Sequence, residues 1–343
     1  MKRLDAVFAS VRSDADRWLL GGAVLALAVT FLRPGLNIDQ PLFEHVVVFD
    51  VTQSMNVEDE QLGGKPIARL KFAKHALRQA LLALPCGSKV GLGIFTEYRS
   101  FLLFAPVEVC ANLGELRSTL DRIDGRMAWI GNSEIAKGLY SGIGIARQLP
   151  GTPSLVFVTD GQEAPPLSPR HRPPFDGKRG EVKGLIVGVG DLKLSPIPKT
   201  DPLGRPLGFW GPDEVLQVDP RSLGRGASVG GEQMTEEGSA AAAPLPGSTP
   251  GSEHLSSLRE AYLQLLAAQT GLAYQRLGGS EAFIDALTAP SLARPVAARA
   301  DLRFVPAGLA LLLLLARHGL GRASWRKRTQ RWCQRLALHA RGA

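Results

Sequence analysis

Asp50, Thr52 and Ser54 stand at alternate positions where the β-branched run of HVVVFDVTQSMN gives out. One acid and two hydroxyls on a short loop are hard oxygen donors, the set that a small divalent cation such as Mg²⁺ favours, with Mn²⁺ or Ca²⁺ as alternatives. A second acid, Asp160, ends another apolar run, SLVFVT, and precedes a glycine. Two acids at two strand ends would also serve as caps for following helices. Capping, however, does not require Thr52 and Ser54 as well. Other chemistries lack their parts. The 6 histidines are scattered, and none forms a spaced ligand pair with an acid. The 3 cysteines contain no Cys-x-x-Cys, so a zinc site is not expected. Gly188-x-Gly190 is too little for a dinucleotide loop. No nucleophile and base stand at usable spacing, so the expectation is a binding protein and not an enzyme.

The elements that must position these oxygens alternate strand and helix. Val46–Asp50 reads as a strand covered on both faces. Leu70–Leu84 carries apolar residues at helical spacing and stops at Pro85. Lys89–Thr96 and Ser100–Phe104 read as a hairpin turning through Glu97-Tyr98-Arg99. Leu113–Ile123 and Ile135–Leu149 read as helices, and Ser154–Thr159 and Val182–Val189 as buried strands. Leu255–Thr270 reads as a helix, Leu272–Leu277 as a strand and Ser280–Leu287 as a helix. The pattern is α/β: a doubly wound, Rossmann-like, mostly parallel sheet with one antiparallel hairpin strand. In such sheets ligands collect at the carboxyl ends of strands where the strand order reverses. Gln162–Gly180 holds too much proline for a crossover helix. Residues 191–254 form a loop-rich insertion, and its low-complexity run Gly224–Ser252 cannot bury apolar area. Glu58 and Asp59 follow the first motif closely, as groups that support the metal loop from behind or as a solvated turn, and the turn is the reading adopted.

Two apolar runs flank this domain. Trp18–Leu32 lies between Arg17 and Arg33, and Phe304–Ala316 between Arg303 and Arg317. The first fits a signal-peptide core, a buried helix or a short span. No small-x-small cleavage pattern follows it, and an uncleaved anchor is the reading adopted. As a helix it covers only ~22 Å, short of the ~30 Å hydrocarbon core. Of the net charge of +8, much lies between Arg317 and Arg341, directly after the second run. That is a topology signal before it is a nucleic-acid patch. With both basic ends in the cytoplasm, the expected plan is residues 1–17 cytoplasmic, 18–33 spanning, 34–290 a periplasmic domain, 291–303 a linker, 304–317 spanning and 318–343 a basic cytoplasmic tail. The chain would then sit in a bacterial inner membrane. Cys86 and Cys110 fall at the open end of the hairpin, where they would pair in an oxidising compartment or remain buried thiols. Cys333 would stay reduced in the cytoplasm.

From Glu44 to about Leu287 the chain resembles a von Willebrand factor type A (VWA) domain with its metal-ion-dependent adhesion site. The resemblance rests on Asp50-Val51-Thr52-Gln53-Ser54 for the usual Asp-x-Ser-x-Ser, on Ser133 in GNSEIAKGL for the usual threonine, and on Asp160-Gly161. It implies that Thr52, Ser54 and Ser133 touch the cation directly and that Asp50 and Asp160 act largely through water. It also implies an open position that a partner's carboxylate fills. The phrases FDVTQSMNVED, LPCGSKVG, FTEYRSFLLFAPVEVC, IDGRMAWIGNSEIAKG and TDGQEAPPL are similar to the MxaL group of bacterial membrane-bound VWA proteins, found alongside MoxR-type ATPases. That resemblance implies an accessory role in maturation of periplasmic quinoprotein methanol dehydrogenase, at calcium insertion. It makes the dehydrogenase, other membrane VWA proteins and the ATPase candidate partners. A general envelope-stress or adhesion module with other clients is the alternative. Trp129, four residues before Ser133, then falls at the rim of the site, as a partner contact or packed beneath the loop.

Overall fold

The computed structural model describes residues 2–32, 34–129, 131–166, 173–216 and 251–318. Cys333, the basic tail beyond His318 and nearly all of the run Gly224–Ser252 lie outside these residues. Two compact units result, one of residues 41–294 and one of residues 1–40 with 295–343.

The larger unit contains, in chain order, β1 (Glu44–Asp50), α1 (Arg69–Ala83), β2 (Lys89–Thr96), β3 (Arg99–Glu108), α2 (Leu113–Arg122), α3 (Ile135–Gln148), β4 (Ser154–Thr159), β5 (Gly184–Gly188), α4 (Glu260–Thr270), β6 (Ala273–Arg276) and α5 (Ser280–Leu287). The 6 strands form one sheet in the order β6-β5-β4-β1-β2-β3. All pairs are parallel except β2 with β3. The chain builds outward from β1 to β3 and then crosses back to β4. The strand order therefore reverses between β1 and β4, and Asp50 and Asp160 leave the sheet there.

Side-chain alternation along the strands makes two cores. Val47, Phe49, Val90, Leu92, Val156 and Val187 pack with α1, α2 and α5. Val46, Val48, Phe95, Leu155, Phe157 and Ile186 pack with α3 and α4. Each fully buried Leu or Phe contributes roughly 1.5–3 kcal/mol, so both faces of the sheet are pinned. Helix α3 comes so close that a Cβ on Gly138 would stand 2.0 Å from the Phe95 ring. Strand β3 runs past the expected Phe104 to Glu108 despite Pro106. It is an edge strand, where a missing amide costs no ladder bond. Cys86 and Cys110 are joined at the open end of the hairpin, with Cα atoms 5.3 Å apart. Beside them Glu108 accepts from the Gly87 amide at 2.7 Å.

The expected helix Leu255–Thr270 starts only at Glu260. Leu255–Ser256 instead pairs with Ser195–Pro196, and the Arg259 amide donates to the Asp160 carbonyl at 2.8 Å. Competing bonds to the insertion and to the Asp160 loop thus hold off the first turn. Within the insertion Pro198–Thr200 pairs with Pro206–Phe209.

In the smaller unit, the amphipathic N-terminal segment and the first apolar run form one helix, Lys2–Phe31. The second run lies in a helix over residues 304–318. The two pack through Ala23, Ala26 and Ala310 against Leu313. Trp18, Leu25, Phe31, Phe304 and Leu312 face outward, each more than half exposed. Among the described residues no helix is both long and apolar enough to cross a membrane. Charges fill the first half of one helix, and the other is short.

Candidate site at the strand order reversal

Asp50 is fully buried at the end of β1. Its Oδ1 accepts from the Thr52 amide at 2.9 Å and from Thr52 Oγ1 at 2.7 Å. This is the local turn that an aspartate makes two residues on, and it folds the loop back over the strand end. Oδ2 accepts from Thr159 Oγ1, the last residue of β4, at 2.6 Å. Thr52 Oγ1 stands 3.4 Å from Ser54 Oγ. Asp160, also fully buried, accepts at Oδ2 from Arg69 Nη1 at 2.6 Å and Ser256 Oγ at 3.1 Å, and at Oδ1 from the Gln162 amide at 2.9 Å.

Ser133 reaches the same place from the segment before α3. Its amide donates to the Ala164 carbonyl at 2.7 Å and its carbonyl accepts from the Ala164 amide at 2.8 Å. The next amide, Glu134, donates to the Glu97 carbonyl on the hairpin turn at 2.6 Å. The segment is clamped from both sides. Ser133 Oγ is buried and has no hydrogen-bond partner among the described residues. Thr52, Ser54 and Ser133 line one cleft of ≈ 220 Å³, and Asp50 and Asp160 do not reach its surface. The hydroxyls are in front and the carboxylates behind. Trp210, from the insertion, also lines the cleft. Its indole N–H donates to Gln53 Oε1 on the Asp50 loop.

Several residues of the site escaped the sequence reading. Arg69 has no exposed side-chain surface and joins Asp59 to Asp160. Asp59 is therefore not a solvated turn residue. Its side chain is 8% exposed and accepts from Arg69 Nε at 2.9 Å, whereas Glu58 is exposed as expected. Burial opposes the charge on Arg69, but Asp59 and Asp160 outweigh it and hold the guanidinium above its usual pKa. Gly190, at φ +119°, leaves the space: a Cβ there would stand 2.5 Å from Arg69 Nε. Burial, then the charge of Asp160, pushes the Asp50 carboxyl well above the ordinary carboxylate range. Glu163, at the cleft, is pushed by burial up to about 8. Trp129 is 59% exposed and so is not packed beneath the loop. It lies edge-on to Phe101 with ring centroids 5.2 Å apart and donates to Glu97 Oε2 at 3.3 Å.

The donor set suits a hydrated divalent cation. Three neutral hydroxyls have lone pairs toward a common cleft, and one of them is an orphan. Behind them stand Asp50, Asp59 and Asp160, with Arg69 joined to the last two. Both oxygens of Asp50 and of Asp160 are already held by protein donors, so these acids would act through water.

No protein-family model matches the chain, and no curated protein matches it. Solved structures of similar layout include an aerotolerance-related membrane protein from Bacteroides fragilis, at 16% identity and TM-score 0.42, covering 71% of this chain and 96% of that one. A von Willebrand factor type A protein from Catenulispora acidiphila matches at 13% identity and TM-score 0.31, covering 52% of this chain and 36% of that one. The ArnB paralog VWA2 from Sulfolobus acidocaldarius matches at 10% identity and TM-score 0.37, covering 73% and 45%. The chain thus spans less than half of the latter two. At these scores the likeness carries no functional argument by itself.

Proposed function

We propose that this chain is a membrane-anchored, VWA-type binding module that holds a divalent cation, Mg²⁺, at the strand order reversal and grips a partner protein's carboxylate through it. One observation carries the reading: Thr52, Ser54 and Ser133 share a cleft in front of two carboxylates that are already saturated by protein donors. Bound there, the cation offers an open coordination position to an anionic oxygen. The chain's own residues do the rest. Thr159 and Thr52 keep Asp50 aimed, Arg69 fixes Asp160, and the bridge to Ala164 fixes Ser133. Trp129 on the rim is the aromatic contact for the partner. The outward apolar side chains of the paired helices Lys2–Phe31 and 304–318 support anchoring in a membrane, where exposed apolar surface of that kind is covered. The Cys86–Cys110 bond supports a domain on the oxidising side. By the phrase-level resemblance, the client is a periplasmic quinoprotein methanol dehydrogenase and the work is its maturation.

The test is affinity purification of the full chain from membranes in Mg²⁺, with elution by chelator. A client that elutes with chelator from wild type, and not from Asp50→Ala, supports the grip. Identification of the dehydrogenase in that eluate supports the narrower role. In parallel, isothermal titration should show Mg²⁺ binding lost in a folded Asp50→Ala chain. Unchanged binding in that variant sinks the site assignment.

A further inference from the structure

We propose that Glu163 is a further residue of the cation site, with Oε2 accepting a hydrogen bond from water bound to the cation. This rests on the cation reading above and adds a residue to it. The carboxylate groups around the cleft differ in one respect. Asp50 and Asp160 have both oxygens engaged by protein donors. Glu214 meets Lys199 and the Gly211 amide, and Glu253 accepts from Gln162 at 3.0 Å. Glu163 is held by Tyr262 and by the backbone at the start of α3, and it alone of these carboxylates has a buried oxygen without a hydrogen-bond partner among the described residues. Its Oε1 accepts from Tyr262 Oη at 2.6 Å and from the Ala136 amide, in the first turn of α3, at 3.1 Å. Its Oε2 is buried and has no hydrogen-bond partner among the described residues.

Glu163 is also coupled in space to the other orphan. The residue after it, Ala164, makes both backbone bonds to Ser133, whose Oγ is likewise buried and unpartnered. Both residues line the cleft with Thr52 and Ser54. A buried acceptor without a donor is uncommon and asks for a ligand. Two orphans of different kinds on residues that line one cleft narrow the choice. A hydroxyl oxygen with free lone pairs suits a hard cation directly. Without a cation burial favours the protonated acid, and a bound cation would hold Glu163 as the carboxylate, whose free oxygen suits the polarised O–H of a water on that cation; Mg²⁺ retains several such waters. A hydrated cation satisfies both, the hydroxyl by direct ligation and the carboxylate through a bound water. The fixed side of Glu163 pre-sets the free one, because Tyr262 and the start of α3 hold Oε1 and fix the plane of the carboxyl group.

Glu163→Gln tests this. The amide oxygen keeps the bonds from Tyr262 and Ala136, while an N–H₂ donor replaces Oε2. Isothermal titration of Mg²⁺ into the full chain in detergent should show affinity reduced by about 10- to 100-fold, the usual loss for an outer partner of a metal site. The thermal midpoint in chelator should not fall. Affinity within about twofold of wild type overturns the proposal. If Glu163→Gln does not fold, Glu163→Asp keeps the charge and withdraws it by one methylene, and wild-type affinity in that variant overturns the proposal equally. The parent reading fails separately: a wild-type chain that binds no cation overturns both. Loss of binding in Asp50→Ala with full binding in Glu163→Gln overturns this one alone.

Discussion

Strand β1 carries an ionisable side chain near each end, and burial acts on both with opposite outcomes. His45, near the start, is fully buried. Its Nε2 meets the Leu287 carbonyl at the end of α5 at 3.0 Å, and Phe43 stacks on its ring at 6.0 Å. Burial lowers its pKa to about 4, so at neutral pH it is an uncharged core residue. Asp50, at the other end, is pushed toward its neutral form by the same loss of water, and the charge of Asp160 adds to it. Yet Thr52 and Thr159 give it three donors that suit the anion. At the first end the histidine lies neutral in the core, with Nε2 paired and Nδ1 buried without a hydrogen-bond partner among the described residues. The other holds acids, arranged for charge, in a place that penalises charge. That imbalance is what favours the proposed cation at this end, because a cation would relieve it.

The comparison breaks most readily at Arg69, the buried cation that joins Asp59 to Asp160 at that end. Arg69→Met should cost about 3–5 kcal/mol of stability, because Asp59 and Asp160 would stay buried without their partner. Urea unfolding in chelator measures it. A loss below about 1 kcal/mol would mean that the acids find water readily, and the site would be wetter and less strained than its burial implies.

The opposite end gives the pH test. The folded pKa of His45 lies near 4, below the unfolded value of 6.5. The unfolded chain therefore takes up the proton first, and stability is complete above pH 6.5. It should fall as pH drops toward 4, by about 3 kcal/mol in total for this group. Carboxylates titrate in part of that window, so the difference between wild type and His45→Gln isolates the histidine. Urea midpoints in chelator at pH 7 and pH 4.5 should fall further in wild type than in the variant. Parallel slopes would mean that His45 is hydrated, and the contrast between the two ends of β1 would disappear.

The legible part of this contrast was the set of residues at the two strand ends. Asp50, Thr52, Ser54 and Asp160 announce themselves because acids and hydroxyls interrupt β-branched runs, and period-two patterns place the strands. The sheet needs no more than that, since both faces of β1 and β4 are continuous apolar runs. The supporting layer was hidden for a specific reason. Arg69 occupies the buried stripe of α1 with Ala73, Ala76 and Ala80. A charge on an apolar helix face is a readable anomaly, but its partner at Asp160 is supplied by the fold. Ser256 was harder. It returns to the site after an insertion, in a segment whose periodicity reads as helix, and pairing with Ser195–Pro196 together with the bonds of its hydroxyl to Asp160 and Arg69 holds it extended. Glu163 looks like any acid in a loop until the Ser133–Ala164 bridge sets it against the cleft.

The smallest expected effect on stability is at Trp129, where the rim of the binding end should separate function from folding. The indole is more exposed than not; it touches Phe101 and donates to Glu97. An exposed edge-on aromatic pair is worth about 1 kcal/mol. Trp129→Ala should therefore lower stability by no more than that and leave Mg²⁺ affinity unchanged, since Ser133 is held by backbone bonds to Ala164 and, through Glu134, to Glu97. Retention of the client on immobilised chain should nonetheless fall by about tenfold or more, as for an aromatic anchor at an interface. Full retention with a larger stability loss would reverse the assignment. Trp129 would then be a brace for the hairpin turn, and the partner would meet the cation from the Trp210 side of the cleft.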